Sequence, residues 1–180
     1  MEQIPGYLIT ILRLVIPFSI LRWPLAGGIA AMLADAADVM VFQAFPRPFA
    51  ELLQYHTADK FLDILYYFFE FLVITRWKEK YAKRIGIALF LWRFVGYILV
   101  QITGNRNFFF YCPNIFEFFY LACLIIKRRF PKFRFDSKKN LILILLVVGI
   151  PNIIKEYYMH FLEFGTWVYF RDHFFWWMYR

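Results

Sequence analysis

The sequence predicts an all-α integral membrane protein, a single bundle of about six transmembrane helices followed by an aromatic segment at the membrane interface. Three observations carry that prediction. Hydrophobic residues make up 62% of the 180 and charged residues only 19%. Soluble domains are about 45–50% apolar, so too few polar residues remain to build a water-facing surface. The apolar residues fall in runs, most of them near the length of about 20 that a helix needs to cross a bilayer, and most basic residues lie between those runs. A cytosolic globular enzyme, a disordered chain and a disulfide-stapled secreted domain are thereby excluded.

Taken in order, the expected spans are Tyr7–Leu21, Leu25–Ala44, Asp59–Thr75, Ile85–Thr103, Phe108–Ile126 and Leu141–Met159. Pro17 is expected to kink the first, Trp23-Pro24 separates it from the second, and Pro46-Arg47-Pro48 closes the second. Gly104-Asn105-Arg106-Asn107 reads as a tight polar turn. Cys112 and Cys123 fall within one expected span, about 16 Å apart along a continuous helix, too far for a disulfide, and read as packing residues. Phe161 to Arg180 is dense in Phe, Trp and Tyr but contains Glu163, Arg171, Asp172 and His173, which favours an interfacial segment over a seventh span.

The net charge of +8 comes largely from two loops. Arg76, Lys78, Lys80, Lys83 and Arg84 follow the third span; Lys127, Arg128, Arg129, Lys132, Arg134, Lys138 and Lys139 follow the fifth. The positive-inside rule makes both cytoplasmic, in a plasma or inner membrane, with anionic lipid as their expected partner and no role for nucleic acid.

The acids behave differently. Asp35, Asp38, Asp59, Asp63, Glu70, Glu117 and Glu156 fall within expected spans, with Arg93 and Lys155. A charge at mid-bilayer is costly, so such residues normally face the bundle interior and have partners. One reading is a salt-bridge network that only fixes packing, for example Arg93 or Lys155 against Asp63 or Glu117. The other is a functional cavity. Asp59, Asp63, Tyr66 and Glu70 share one helix face by their 4-3-4 spacing. With the loop orientation, Asp38, Asp59, Asp63, Gln101, Arg106, Asn114, Glu117, Asn152, Lys155, Glu156 and His160 all fall in the half of the membrane opposite the basic loops. Clustered carboxylates suit a hard divalent cation or a proton relay. His56 with Asp59, and Glu156 with His160, have helical ligand spacing, although three histidines at membrane boundaries are more simply read as amphipathic rings.

The runs Tyr7-Leu-Ile-Thr10-Ile-Leu-Arg13, Asp35-Ala-Ala-Asp38 and Asp59-Lys-Phe-Leu-Asp63 resemble, over the N-terminal part of the chain, the CDP-alcohol phosphatidyltransferase family. Its motif is D-x-x-D-G-x-x-A-R followed by G-x-x-x-D-x-x-x-D. Here Val39, Phe42-Gln43 and Tyr55 stand where that motif has glycine, Ala-Arg and glycine. The resemblance implies Asp35, Asp38 and Asp59 as ligands of a divalent cation, Mg²⁺ or Mn²⁺, and Asp63 as a catalytic base.

Three functions follow as expectations. The first is metal-assisted transfer or hydrolysis at a lipid headgroup, with Arg106, Asn114, Glu117, Asn152, Lys155 and Glu156 holding the substrate. The second is a proton or cation transport component built on the same acids. The third is a non-catalytic accessory subunit of a larger membrane complex, favoured by an aromatic content of 23%.

Overall fold

A computed structural model of the chain describes residues 4–44, 55–162 and 173. The side chains at 42–44, 55–60 and 160–161 lie outside the description, as do Glu163 and, His173 apart, the rest of the aromatic C-terminal segment. Among the described residues every regular element is helical: α1 (Ile4–Val15), a 3₁₀ turn (Ile16–Leu21), α2 (Pro24–Ala44), α3 (Tyr55–Ile74), α4 (Lys80–Thr103), α5 (Asn107–Tyr111), α6 (Phe116–Arg129), α7 (Lys138–Glu156) and a π turn (Tyr157–Phe161).

Five segments are long and apolar enough to cross a membrane: Ile4–Leu21, Pro24–Val41, Lys80–Thr103, Asn107–Arg129 and Lys138–Met159. The distribution of side chains agrees with that environment. Leu8, Ile11 and Val15 of α1, Leu91, Val95, Ile98 and Ile102 of α4, and Leu143, Val147, Ile150 and Ile154 of α7 are exposed, while Arg13, Asp38, Asp63, Glu70, Arg93, Glu117 and Glu156 are buried. Apolar residues outside and charged residues inside is the arrangement that hydrocarbon solvent selects. This is a multi-pass membrane protein. The remaining long helix, α3, carries Asp59, Lys60, Asp63 and Glu70 and packs against α1, α2, α4 and α6.

Prolines shape two of the spans. Pro17 stands at the start of the 3₁₀ turn that ends the first, so that span tightens where a kink is expected. The fifth span is not continuous, because Pro113 has no N–H and disfavours the α conformation at Cys112. Cys112 takes φ −119°, ψ 67° and closes α5 before α6 begins. Cys112 and Cys123 therefore sit on different elements; both are free and buried. The turn after α4 is capped by Gly104 at φ +69°, whose N–H donates to the Val100 carbonyl at 2.8 Å, a left-handed conformation that glycine adopts without steric cost.

The aromatic residues largely build the interior. Tyr120, Phe116 and Phe119 are the largest fully buried side chains, Phe71 stacks on Phe90 at 4.5 Å, and Phe90 meets Phe116 edge-on at 5.3 Å. Rings that interlock in this way supply the packing attraction that membrane helices need, since burial from lipid gains little hydrophobic free energy.

The two basic loops meet at one end of the bundle. Lys127 Nζ pairs with Glu79 Oε1 at 2.6 Å, and Lys83 Nζ donates to the Thr75 carbonyl at 2.5 Å. Beneath them Ala82, Cys123, Phe135 and Leu141 form a small apolar core. Partial burial opposes the Glu79 charge, but the Lys127 ammonium and backbone N–H groups bonded to the carboxylate outweigh it and hold Glu79 below its ordinary value.

Candidate functional site

The Asp35/Asp38 and Asp63 sites predicted from sequence come together, and the residue that gathers them is Arg13. Its guanidinium leaves the otherwise lipid-facing helix α1 and turns inward, where only 4% of the residue is exposed. Nη2 lies 2.5 Å from Asp35 Oδ1 and 2.7 Å from Asp63 Oδ1, and Nη1 pairs with Asp38 Oδ2. α1, α2 and α3 are thus tied at one point. Asp38 is wholly enclosed, and its Oδ1 has no hydrogen-bond partner among the described residues. Asp35 is the opening of the cluster, with 34% of its side chain exposed. Three carboxylates against one guanidinium leave a formal surplus of two negative charges when all are ionised.

A second polar network lies among α3, α4, α6 and α7, and the break at Pro113 creates it. The Phe109 carbonyl would receive its helical hydrogen bond from residue 113, and proline cannot give one. Arg93 of α4 fills the gap: Nη1 donates to the Cys112 carbonyl at 2.9 Å and to the Phe109 carbonyl at 3.4 Å. Its guanidinium also lies 4.6 Å from the centre of the Phe109 ring. This requires α4 to approach the break closely. A Cβ on Gly96 would fall 2.4 Å from that of Cys112.

Past the break, Asn114 joins the helices. Its Nδ2 donates to Tyr67 Oη at 2.6 Å and Glu117 Oε2 at 2.9 Å, while its N–H donates to Glu156 Oε1 at 3.3 Å. Arg93 Nη2 stands 3.8 Å and Lys155 Nζ 4.0 Å from the same Glu156 oxygen. Here two bases face two acids, so the network balances. Tyr66, which also hydrogen-bonds Glu117, is one turn from Asp63 along α3 and links the two groups.

Glu70, a further turn along that face, is fully enclosed. Neither of its carboxyl oxygens has a hydrogen-bond partner among the described residues. Gly28 of α2 and Tyr120 of α6 pack close to it. It feels the charge of Glu117, and Tyr120 feels that of Glu70. Asp63, Tyr66 and Glu70 thus follow one face of α3 toward the basic end, with Glu117 and Tyr120 of α6 in the same interior.

Other sites predicted from sequence lie apart. Arg106 is exposed just before α5, as is Gln101 on α4. Asn152 is buried, but its Nδ2 turns back onto the Val148 carbonyl at 2.7 Å. Asp59 lies in the first turns of α3, and its side chain, like those of His56 and His160, is outside the described ones. The ion pairs also differ from the expected ones: Asp63 meets Arg13, while Arg93 and Lys155 meet Glu156. Arg13 and Arg93 hold these two clusters together; sequence alone assigns Arg13 no partner and expects Arg93 only in a packing salt bridge. An arginine in the middle of an apolar run was the available signal for Arg13, since such a residue needs an acidic partner.

Of the carboxylates implied as cation ligands or base, Asp35, Asp38 and Asp63 turn toward the Arg13 guanidinium, and the Asp59 side chain lies outside the described ones. Among the described residues no group of three His, Cys, Asp or Glu side chains is placed to hold a metal ion. No family model, curated protein or solved structure matches the chain.

Proposed function

We propose that this protein exchanges protons within the membrane, as a proton-translocating or proton-coupled transport component. The carrying observation is the sharing of one buried guanidinium by three carboxylates. The surplus charge of Asp35, Asp38 and Asp63 calls for compensation, and protons can enter at the half-open Asp35. A proton passes between Tyr66 and Glu117 along their hydrogen bond, and reaches Glu70, whose oxygens no described side chain hydrogen-bonds, through a bridging water. In this reading α3 is the inner, sixth span, the basic loops are cytoplasmic, and the aromatic C-terminal segment rests at the opposite interface. Metal-assisted chemistry at a lipid headgroup draws less support, since Asp35, Asp38 and Asp63, three of the carboxylates implied for it, are engaged with Arg13. An accessory role also draws less, since many of the aromatic rings that favour it are used inside the bundle.

The test is proton flux into vesicles holding the purified chain, followed with an enclosed pH-sensitive dye under an imposed potential. Flux above that of empty vesicles is expected, lost in Asp63→Asn and strongly reduced in Glu70→Gln, with both variants folded by circular dichroism. Equal flux in wild type and a folded Asp63→Asn/Glu70→Gln double variant would overturn the proposal, as would no flux in the wild type across substrate-free and lipid-varied conditions.

A further inference from the structure

A groove of about 490 Å³ runs between α6 and α7, with Met32 of α2 at its floor. Its volume falls within the range of about 300–1,000 Å³ typical of sites for small ligands. Phe118, Leu121, Ile125, Val148 and Pro151 make most of it apolar, and the polar groups, Asn152 and Lys155, gather toward one end. It opens sideways, toward the surface on which Val147, Ile150 and Ile154 are exposed. An occupant therefore enters from the bilayer.

The charge at the end of the groove defines what that occupant is. Lys155 Nζ stands 5.1 Å from the centre of the Phe118 ring, and its side chain is 41% exposed. Its acidic neighbour, Glu156 Oε1, is 4.0 Å away, beyond hydrogen-bond reach. That oxygen accepts from the Asn114 N–H at 3.3 Å, while Arg93 Nη2, like Lys155, stands at ion-pair distance only. The ammonium donors of Lys155 are thus without an acceptor among the described residues. Their depth fits a headgroup. Lys155 is 17 residues beyond the start of α7 at Lys138, about 25 Å along the helix, near the far boundary of a hydrocarbon core about 30 Å thick. Asn152 directs one of its Nδ2 donors to the Val148 carbonyl, which leaves Lys155 as the one cation lining the groove.

We infer that this groove binds one anionic phospholipid, an acyl chain lying along α6 and α7 and the phosphate on Lys155. The site is separate from the Arg13 cluster, and the inference does not rest on proton exchange. The charge complementarity of Lys155 chooses an anionic over a zwitterionic lipid, and the apolar length chooses a lipid over a free phosphate.

The chain is reconstituted in phosphatidylcholine bilayers with trace spin-labelled phosphatidylglycerol or phosphatidylcholine, and the immobilised fraction is read for each. The expected result is an immobilised site preferring phosphatidylglycerol. Lys155→Gln should reduce that preference about fivefold, the factor that one lysine at an anionic surface is worth. Lys155→Arg should keep it, and Lys132→Gln, in the exposed basic loop, should leave it unchanged. Val148→Trp, which fills the groove, should release the lipid whatever its headgroup. A preference that survives Lys155→Gln, or one abolished by Lys132→Gln, overturns the inference and assigns the effect to the basic loops. Immobilisation of inorganic phosphate in place of lipid would also overturn it.

Discussion

Arg13 and Asp63, fifty residues apart in sequence, form a buried ion pair with Nη2 and Oδ1 2.7 Å apart. The contact joins the first helix of the chain to its most polar one, and Asp35 and Asp38 of α2 complete it. A guanidinium suits this position because its donors are fixed in a plane and can serve several acceptors at once, whereas a lysine is a single mobile point charge. Its apolar stem also lets it occupy a helix whose other faces meet lipid.

Removing the shared cation should cost more than removing any one acid. Arg13→Met leaves three enclosed carboxylates with no counter-charge, and breaking a buried pair in this way destabilises by about 3–5 kcal/mol. Asp35→Asn is expected to be mild, because that side chain is partly open. Thermal unfolding in detergent measures both. The expected order is wild type, Asp35→Asn, Arg13→Met, and adding Asp35→Asn and Asp63→Asn to Arg13→Met should restore part of the loss.

The Arg93 site carries a coupling that can be measured. If Arg93 serves the carbonyls left over by Pro113, restoring the donor should lessen the need for it. Pro113→Ala gives residue 113 an N–H for the Phe109 carbonyl, so Arg93→Met should be less damaging in that background. A double-mutant cycle read by unfolding is expected to give an interaction of about 0.5–3 kcal/mol, the range for residues in one network. Strict additivity would separate Arg93 from the break.

These two sites also show how far the sequence could be read. The membrane class, the helices and the convergence of the aspartates follow from composition and spacing, because hydrocarbon punishes exposed charge and the 3.6-residue repeat fixes which acids share a face. The partner of those acids was harder to see. Arg13 is one residue in an apolar run, and no local spacing connects it with Asp63; only the packing of α1 on α3 does. Pro113 announces a break, but not that an arginine on the preceding helix will repair it. Asn107 and Asn114 are both asparagines within the same span, yet only Asn114 is buried in the polar network. Such choices depend on helix rotation, which the polar pattern of a short segment does not determine.

The Glu79–Lys127 pair predicts a small pH effect. Glu79 is held below its ordinary carboxyl value, so its contribution is present above the unfolded value of 4.5 and lost as the pH falls through the folded one. Lys127 is mostly exposed, so solvent screening keeps the pair to about 0.2–1 kcal/mol. Glu79→Gln should therefore unfold slightly earlier than wild type at pH 7, and the two should converge in acid. A difference that grows below pH 4 would contradict the assignment.

The last prediction concerns sidedness. Glu79, beside Lys80, and Lys127, which opens the loop containing Lys132, are in contact, so positions 80 and 132 must lie on the same side of the membrane whichever way the bundle is inserted. Asn105, in the exposed turn at the far end of α4, must lie on the other. In a variant with Cys112 and Cys123 replaced by alanine, single cysteines at Asn105, Lys80 and Lys132 are labelled with an impermeant thiol reagent in intact cells. With the basic loops cytoplasmic, the Asn105 position should react at once, and the other two only after the membrane is opened. The reverse pattern would invert the orientation and turn the Arg13 cluster toward the cytoplasm, while keeping the helix assembly. Opposite behaviour of the Lys80 and Lys132 positions would break the assembly itself, because no single insertion places two touching loops on different sides.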